Sequence, residues 1–178
     1  MSKAVRWSMV WVLCLLAGWA RAESISSFYG DYLGHMEESG ENTRDLRVSI
    51  HPLADNPQAF NLSWTTVVYR NGRAVSHFQN EASFTATHKP NVFASAMKTN
   101  VFGRKIPHDP LQGEPYLWAR IKDKTLCVYA LIIDEEGTYE LQTYERTLTA
   151  QGMQLHYVSM SDNVLRRELD ATLTKVSP

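Results

Sequence analysis

From residue 27 onward, short stretches of alternating apolar and polar residues follow one another with only brief polar breaks, and no run of ten or more shows a 3.6-residue apolar period. Alternation of period two belongs to strands with one buried face. Nine such stretches lie at 27–38, 44–51, 58–70, 73–86, 91–99, 115–122, 125–133, 138–149 and 153–160, with a tenth at 164–175. Asn71-Gly72 sits between two of them, the strongest short-range signal for a hairpin. Lys122-Asp123-Lys124, Asp134-Glu135-Glu136-Gly137, Ala150-Gln151-Gly152 and Ser161-Asp162-Asn163 are turn formers of the same kind. Tight turns in succession describe a meander, and a meander of this many strands removes its two edges by closing on itself. The expected fold is all-β: a single antiparallel up-and-down β-barrel of about 8–10 strands. An open sandwich is the alternative, and the short connections argue against its crossovers.

The barrel is expected to follow a cleaved signal peptide at 1–22. Lys3 and Arg6 precede an apolar run from Trp7 to Trp19, and Ala20-Arg21-Ala22 forms an A-x-A cleavage site. That run is too short to span a bilayer, which takes roughly 20 residues. The remaining domain, 23–178, is expected to be periplasmic or secreted. Cys14 goes with the leader, and Leu13 before it does not fit a lipoprotein signal, so Cys127 is the one thiol left and no internal disulfide can form. The leader holds 3 of the 18 Lys and Arg and none of the 19 acids, which leaves the domain at a net charge of −4. A mildly acidic surface does not attract nucleic acid or anionic lipid.

Residues 100–115 interrupt the pattern with three prolines and two glycines. A loop of this length in a compact domain is either a functional lid or a rigid connector.

Parity along the strands nominates the interior. Phe60, Leu62, Trp64, Thr66 and Val68 share one face of 58–70, and Phe78, Asn80, Ala82, Phe84 and Ala86 share one face of 73–86. Leu155 and Tyr157 join them from 153–160. Small residues among aromatics leave space for a ligand or pack into a filled barrel; both outcomes stand. The stretch 125–133 is apolar on both faces, so its outer stripe needs cover from the long loop or from a homodimer partner. On 164–175, Arg167 falls in phase with Leu165, Leu169, Ala171 and Leu173. A guanidinium so placed either anchors the carboxylate or phosphate of a bound amphiphile or snorkels to the rim. Arg146 and Tyr144, sharing a face two strands earlier, are weaker companions.

The six histidines form no H-x-H or H-E-x-x-H pair and no C-x-x-C occurs, so no metal site is expected. His108-Asp109 in the long loop is the best acid–base pair, since a carboxylate raises an adjacent imidazole's pKa. G-x-S-x-G, G-x-G-x-x-G and P-loop motifs are missing from the chain.

Phe28-Tyr29-Gly30-Asp31-Tyr32-Leu33-Gly34 resembles the G-x-W entry strand of lipocalins and related calycins, with Tyr32 in the tryptophan's place. Arg166-Arg167 resembles that family's late arginine, which packs on the aromatic across the closed barrel end. The resemblance covers the whole domain and implies a barrel holding a small hydrophobic ligand. It also implies that Arg167 closes the barrel against Tyr32. The T-D-Y segment and the usual disulfide are lacking.

The expected function is to bind or carry a small hydrophobic or amphipathic molecule, without a cofactor. Phe60, Leu62, Trp64, Phe78, Phe84, Leu155, Tyr157 and Arg167 form the expected ligand site. Two alternatives stand beside it. One is an isomerase or hydratase acting on a lipid-like substrate through His108 and Asp109. The other is a protein-interaction or inhibitor module with a filled barrel.

Overall fold

The computed structural model describes residues 23–37, 42–54, 56–95, 98–99, 104–106 and 108–177, so the expected leader at 1–22 lies outside the described residues. The strands are β1 (Gly30–Glu37), β2 (Asn42–Leu53), β3 (Asn56–Arg70), β4 (Arg73–Ala86), β5 (Val92–Ser95), β6 (Lys98–Thr99), β7 (Lys105–Ile106), β8 (Tyr116–Lys122), β9 (Thr125–Ile133), β10 (Tyr139–Thr149), β11 (Gly152–Ser161) and β12 (Val164–Ser177). Ten of them close an all-antiparallel, up-and-down barrel in the order β1-β12-β11-β10-β9-β8-β5-β4-β3-β2, with β2 returning to β1. β6 and β7 form a separate ribbon inside the long β5–β8 connection. The stretch expected as one strand at 91–99 is therefore split, and only Val92–Ser95 belongs to the barrel wall.

Local chemistry explains the connections. Asn71 and Gly72 both take positive φ, 50° and 71°, the twist that lets two strands continue without splaying. Asp162 and Asn163 do the same at 48° and 64°. In the β9–β10 turn the Asp134 carboxylate accepts bonds from the Glu136 and Thr138 amides at 3.0 and 2.8 Å. Gly152 opens β11 where a Cβ would collide with the Leu173 carbonyl oxygen of β12, so a larger residue would push the two strands apart.

One end of the barrel is plugged. A short 3-10 turn, Ile25–Phe28, crosses it and buries Phe28 completely. The Tyr32 hydroxyl donates to the Phe28 carbonyl at 2.8 Å, and the Glu23 amide donates to the Asp123 carbonyl at 2.9 Å. Above this plug Phe60 stacks on Phe84 at 5.1 Å and meets Phe93 edge-on at 5.2 Å. Ile50, Leu62, Leu126, Met153 and Leu173 complete a core without solvent access. Tyr32 stands at this end as the resemblance to calycins implies, but the cation over its ring is Lys175, at 5.7 Å. Arg167 lies on the exposed part of β12 and does not close the barrel against Tyr32. The strand carries Lys175 to the plugged end and leaves position 167 near the other.

The wall itself is uneven. β4 pairs with β5 only at Phe84–Ala86, and β5 pairs with β8 only at Trp118–Arg120. Between these short ladders and the rim, β4 runs from Arg73 to Glu81 with almost every residue exposed. His77, Gln79 and Glu81, outward-facing there, are polar, the reverse of the apolar-outward alternation of an outer-membrane barrel. On β9 the outer stripe is covered: Tyr129 stacks on Trp118 of β8 at 4.9 Å, and the turn at Pro110–Gln112 packs against the strand.

Candidate ligand-binding site

Opposite the plug, the barrel encloses a cavity of about 750 Å³, within the roughly 300–1,000 Å³ that suits one small molecule. It opens through the rim and towards the thin wall between β4 and β8, where Ser83, Ser95, His108 and Pro115 border it. Leu46 and Val48 of β2, Leu117 of β8, Ala130 and Ile132 of β9 and Leu169 of β12 supply most of the apolar lining.

The polar groups gather on β10. Its even-numbered residues face inward: Gln142, Tyr144 and Arg146 line the cavity, and Leu148 packs against the core. Arg146, the deepest of them, is 1% exposed, and its Nε and Nη1 have no hydrogen-bond partner among the described residues. Its guanidinium lies 5.2 Å from the Tyr144 ring centre and 5.9 Å from that of Trp64. Two aromatic faces are favourable company for a cation, but they do not accept its N–H bonds. Burial pushes the Arg146 pKa down to about 10, and neighbouring Tyr144 partly offsets this. Tyr144, wedged between Trp64 at 5.5 Å and Tyr157 at 4.7 Å, has its phenol pushed well above the usual value, by burial first and by Tyr157 second. Burial likewise raises the Tyr157 phenol.

Towards the rim the chain of contacts continues. The Tyr144 hydroxyl donates to Gln142 Oε1 at 2.8 Å, and Gln142 Nε2 donates to Glu140 Oε1 at 2.8 Å. Ser159 Oγ on β11 donates to that same oxygen at 2.7 Å.

The residues nominated from parity separate into two groups. Trp64, Phe78, Leu155, Tyr157 and Arg167 border the cavity, whereas Phe60, Leu62 and Phe84 lie below it in the packed end. Phe78 sits at the rim, 57% exposed. The buried unpaired guanidinium belongs to Arg146, not Arg167. Position 167 is beside the rim, in register with Ser159 just past an irregularity in the β11–β12 ladder, and water reaches it. The signal for Arg146 was its phase with Tyr144 and Gln142, which only the height of β10 in the barrel turns into burial.

His108 borders the cavity, and the carboxylate it faces is that of Glu114, with Nδ1 3.7 Å from Oε2. Asp109 instead caps the Pro110–Gln112 turn, accepting the Leu111 amide at 3.0 Å. The same Glu114 Oε2 accepts the Asp109 amide at 3.0 Å, so Glu114 ties the two loop residues together while the Asp109 carboxylate is used in the turn. Cys127 is buried on β9, and burial raises its thiol pKa above the reactive range. Among the described residues no three His, Cys, Asp or Glu side chains gather as a metal site would need.

Chemically, the cavity offers an apolar wall, an aromatic cluster and, buried at its floor, a guanidinium with two nitrogens unbonded among the described residues. No protein-family model matches the chain, and no curated protein or solved structure matches it either.

Proposed function

We propose that this protein binds and carries a small amphipathic anion, with the acidic head on Arg146 and the apolar body along β2, β8 and β9. The observation that carries this reading is the pair of buried, unbonded Arg146 nitrogens at the floor of an open cavity. A buried cation with unbonded N–H groups is costly, and a carboxylate or phosphate that accepts from the guanidinium offsets that cost. The leader-like order of residues 1–22 supports an extracytoplasmic carrier, either periplasmic or secreted.

Native mass spectrometry of protein purified from its own compartment is expected to reveal a retained acidic molecule. Calorimetric titration with laurate is expected to give saturable one-to-one binding that Arg146→Met removes. Binding of laurate unchanged in Arg146→Met would refute the assignment.

A further inference from the structure

The cavity is not greasy on all sides. Arg146, Tyr144, Gln142 and Glu140 alternate along one strand, and hydrogen bonds join Tyr144, Gln142 and Glu140 into a polar rail that starts beside the Arg146 guanidinium and ends just beyond the lined cavity. A ligand that is apolar beyond its head would leave the upper half of that rail facing hydrocarbon. At the top of the rail Gln142 and Ser159 both donate to Oε1 of Glu140, and among the described residues Oε2 accepts no bond. Arg167 of β12, in register with Ser159, borders the cavity at this same level. The mouth is thus flanked by an acceptor on β10 and a donor on β12, on either side of β11. A hydroxyl suits either group, donating to Glu140 or accepting from Arg167, whereas an ammonium would face the arginine and a second carboxylate would face the glutamate.

Length narrows the choice further. Because the Arg146 guanidinium leans over Tyr144, the span to be bridged runs from Tyr144 to Glu140. Four strand residues cover ~13 Å. An extended chain advances ~1.1–1.2 Å per bond, so about eleven or twelve bonds bridge the gap.

Resting on the anionic-head reading above, we propose that the ligand is two-headed: a medium-length acyl chain with its carboxylate on Arg146 and a hydroxyl near its far end on Glu140. The test compares laurate with ω-hydroxylaurate by calorimetric titration of the whole protein. The hydroxy acid should bind the native protein about tenfold more tightly, the scale of one hydrogen bond to a charged acceptor. Glu140→Leu should abolish that preference, read as the ratio of the two acids' affinities within each variant. Glu140→Gln keeps an oxygen for Ser159 and Gln142 without the charge, and should keep only part of the preference. Equal affinity of the two acids in the native protein, or a preference that survives Glu140→Leu, overturns the two-headed ligand while leaving the Arg146 anchor standing. Failure of both acids to bind overturns both readings.

Discussion

The two ends of the barrel are built from the same strands and behave as different materials. At the plugged end β3 and β4 contribute Phe60, Leu62 and Phe84, all without solvent access. A few residues along the same faces, Trp64, Thr66 and Phe78 border an open cavity, and Phe78 is 57% exposed. The alternation of apolar and polar residues does not change between them. What changes is the company: the plug, Phe93 of β5 and Met153 of β11 fill one end, while towards the other β5 pairs with β4 only at Phe84–Ala86 and, among the described residues, no strand continues that ladder along β4. Stability is concentrated where the third dimension supplies partners, and binding capacity where it withholds them.

The sharpest break of this contrast comes from truncating one phenylalanine at each end. Phe60→Ala should cost about 3–5 kcal/mol in denaturant unfolding, as a large cavity opens in close packing. Phe78→Ala should cost no more than about 0.5 kcal/mol, the range of an exposed substitution. Comparable losses at the two sites would mean that the open end is also part of the core.

Arg146 should separate the two properties in a single residue. Arg146→Met removes an unpaired buried cation, so the ligand-free protein should gain about 1–4 kcal/mol. Thermal unfolding would read this as roughly 2–4 °C per kcal/mol. The same change should weaken laurate by about 30-fold or more, the cost of deleting one partner of a buried charge pair. Lower stability together with intact binding would show that the arginine serves the fold alone. Its depressed pKa carries a sign as well. Below about 10 the folded state holds the cation at a penalty, and this is relieved as pH rises through that value towards the higher pKa of the unfolded chain. The stability difference between Arg146→Met and the native protein should therefore shrink above pH 10.

Gly152→Ala probes the plugged half through its backbone. A methyl group there meets the Leu173 carbonyl, so a loss of about 1 kcal/mol or more is expected in chemical denaturation. Silence of this substitution would show that the β11–β12 contact yields easily.

The smallest effect belongs to the outer wall. His156 Nδ1 lies 2.9 Å from Asp170 Oδ1, and that bond raises the imidazole pKa above 6.5. The stabilisation is fully present below the unfolded value of 6.5 and fades as pH rises through the higher folded one. Solvent screens the pair, so His156→Gln should cost at most a few tenths of a kcal/mol at pH 5 and nothing at pH 9. A larger effect would show that the outer wall couples to the core.

Much of the architecture could be read from residues close together in the chain. Asn71-Gly72 and Asp162-Asn163 need positive φ and have side chains that tolerate it, and each strand carries its own inside–outside code. The site was legible only in fragments. Parity put Trp64 and Tyr157 inside along with Phe60 and Phe84, but parity carries no height. Arg146 and Arg167 looked alike in phase, and only one is buried.

By itself, then, the amino-acid order determined the strands, their turns, the face each residue shows and the closure of the sheet, because these follow from neighbours within a few positions and from the need to pair edges. Tertiary structure decided how high each inward residue sits, which end is plugged and which cation is left without a partner. Those depend on strand tilt and stagger around the ring and on contacts between segments far apart in the chain, such as Phe28 beneath Tyr32 and Arg146 against Trp64, which no local pattern encodes.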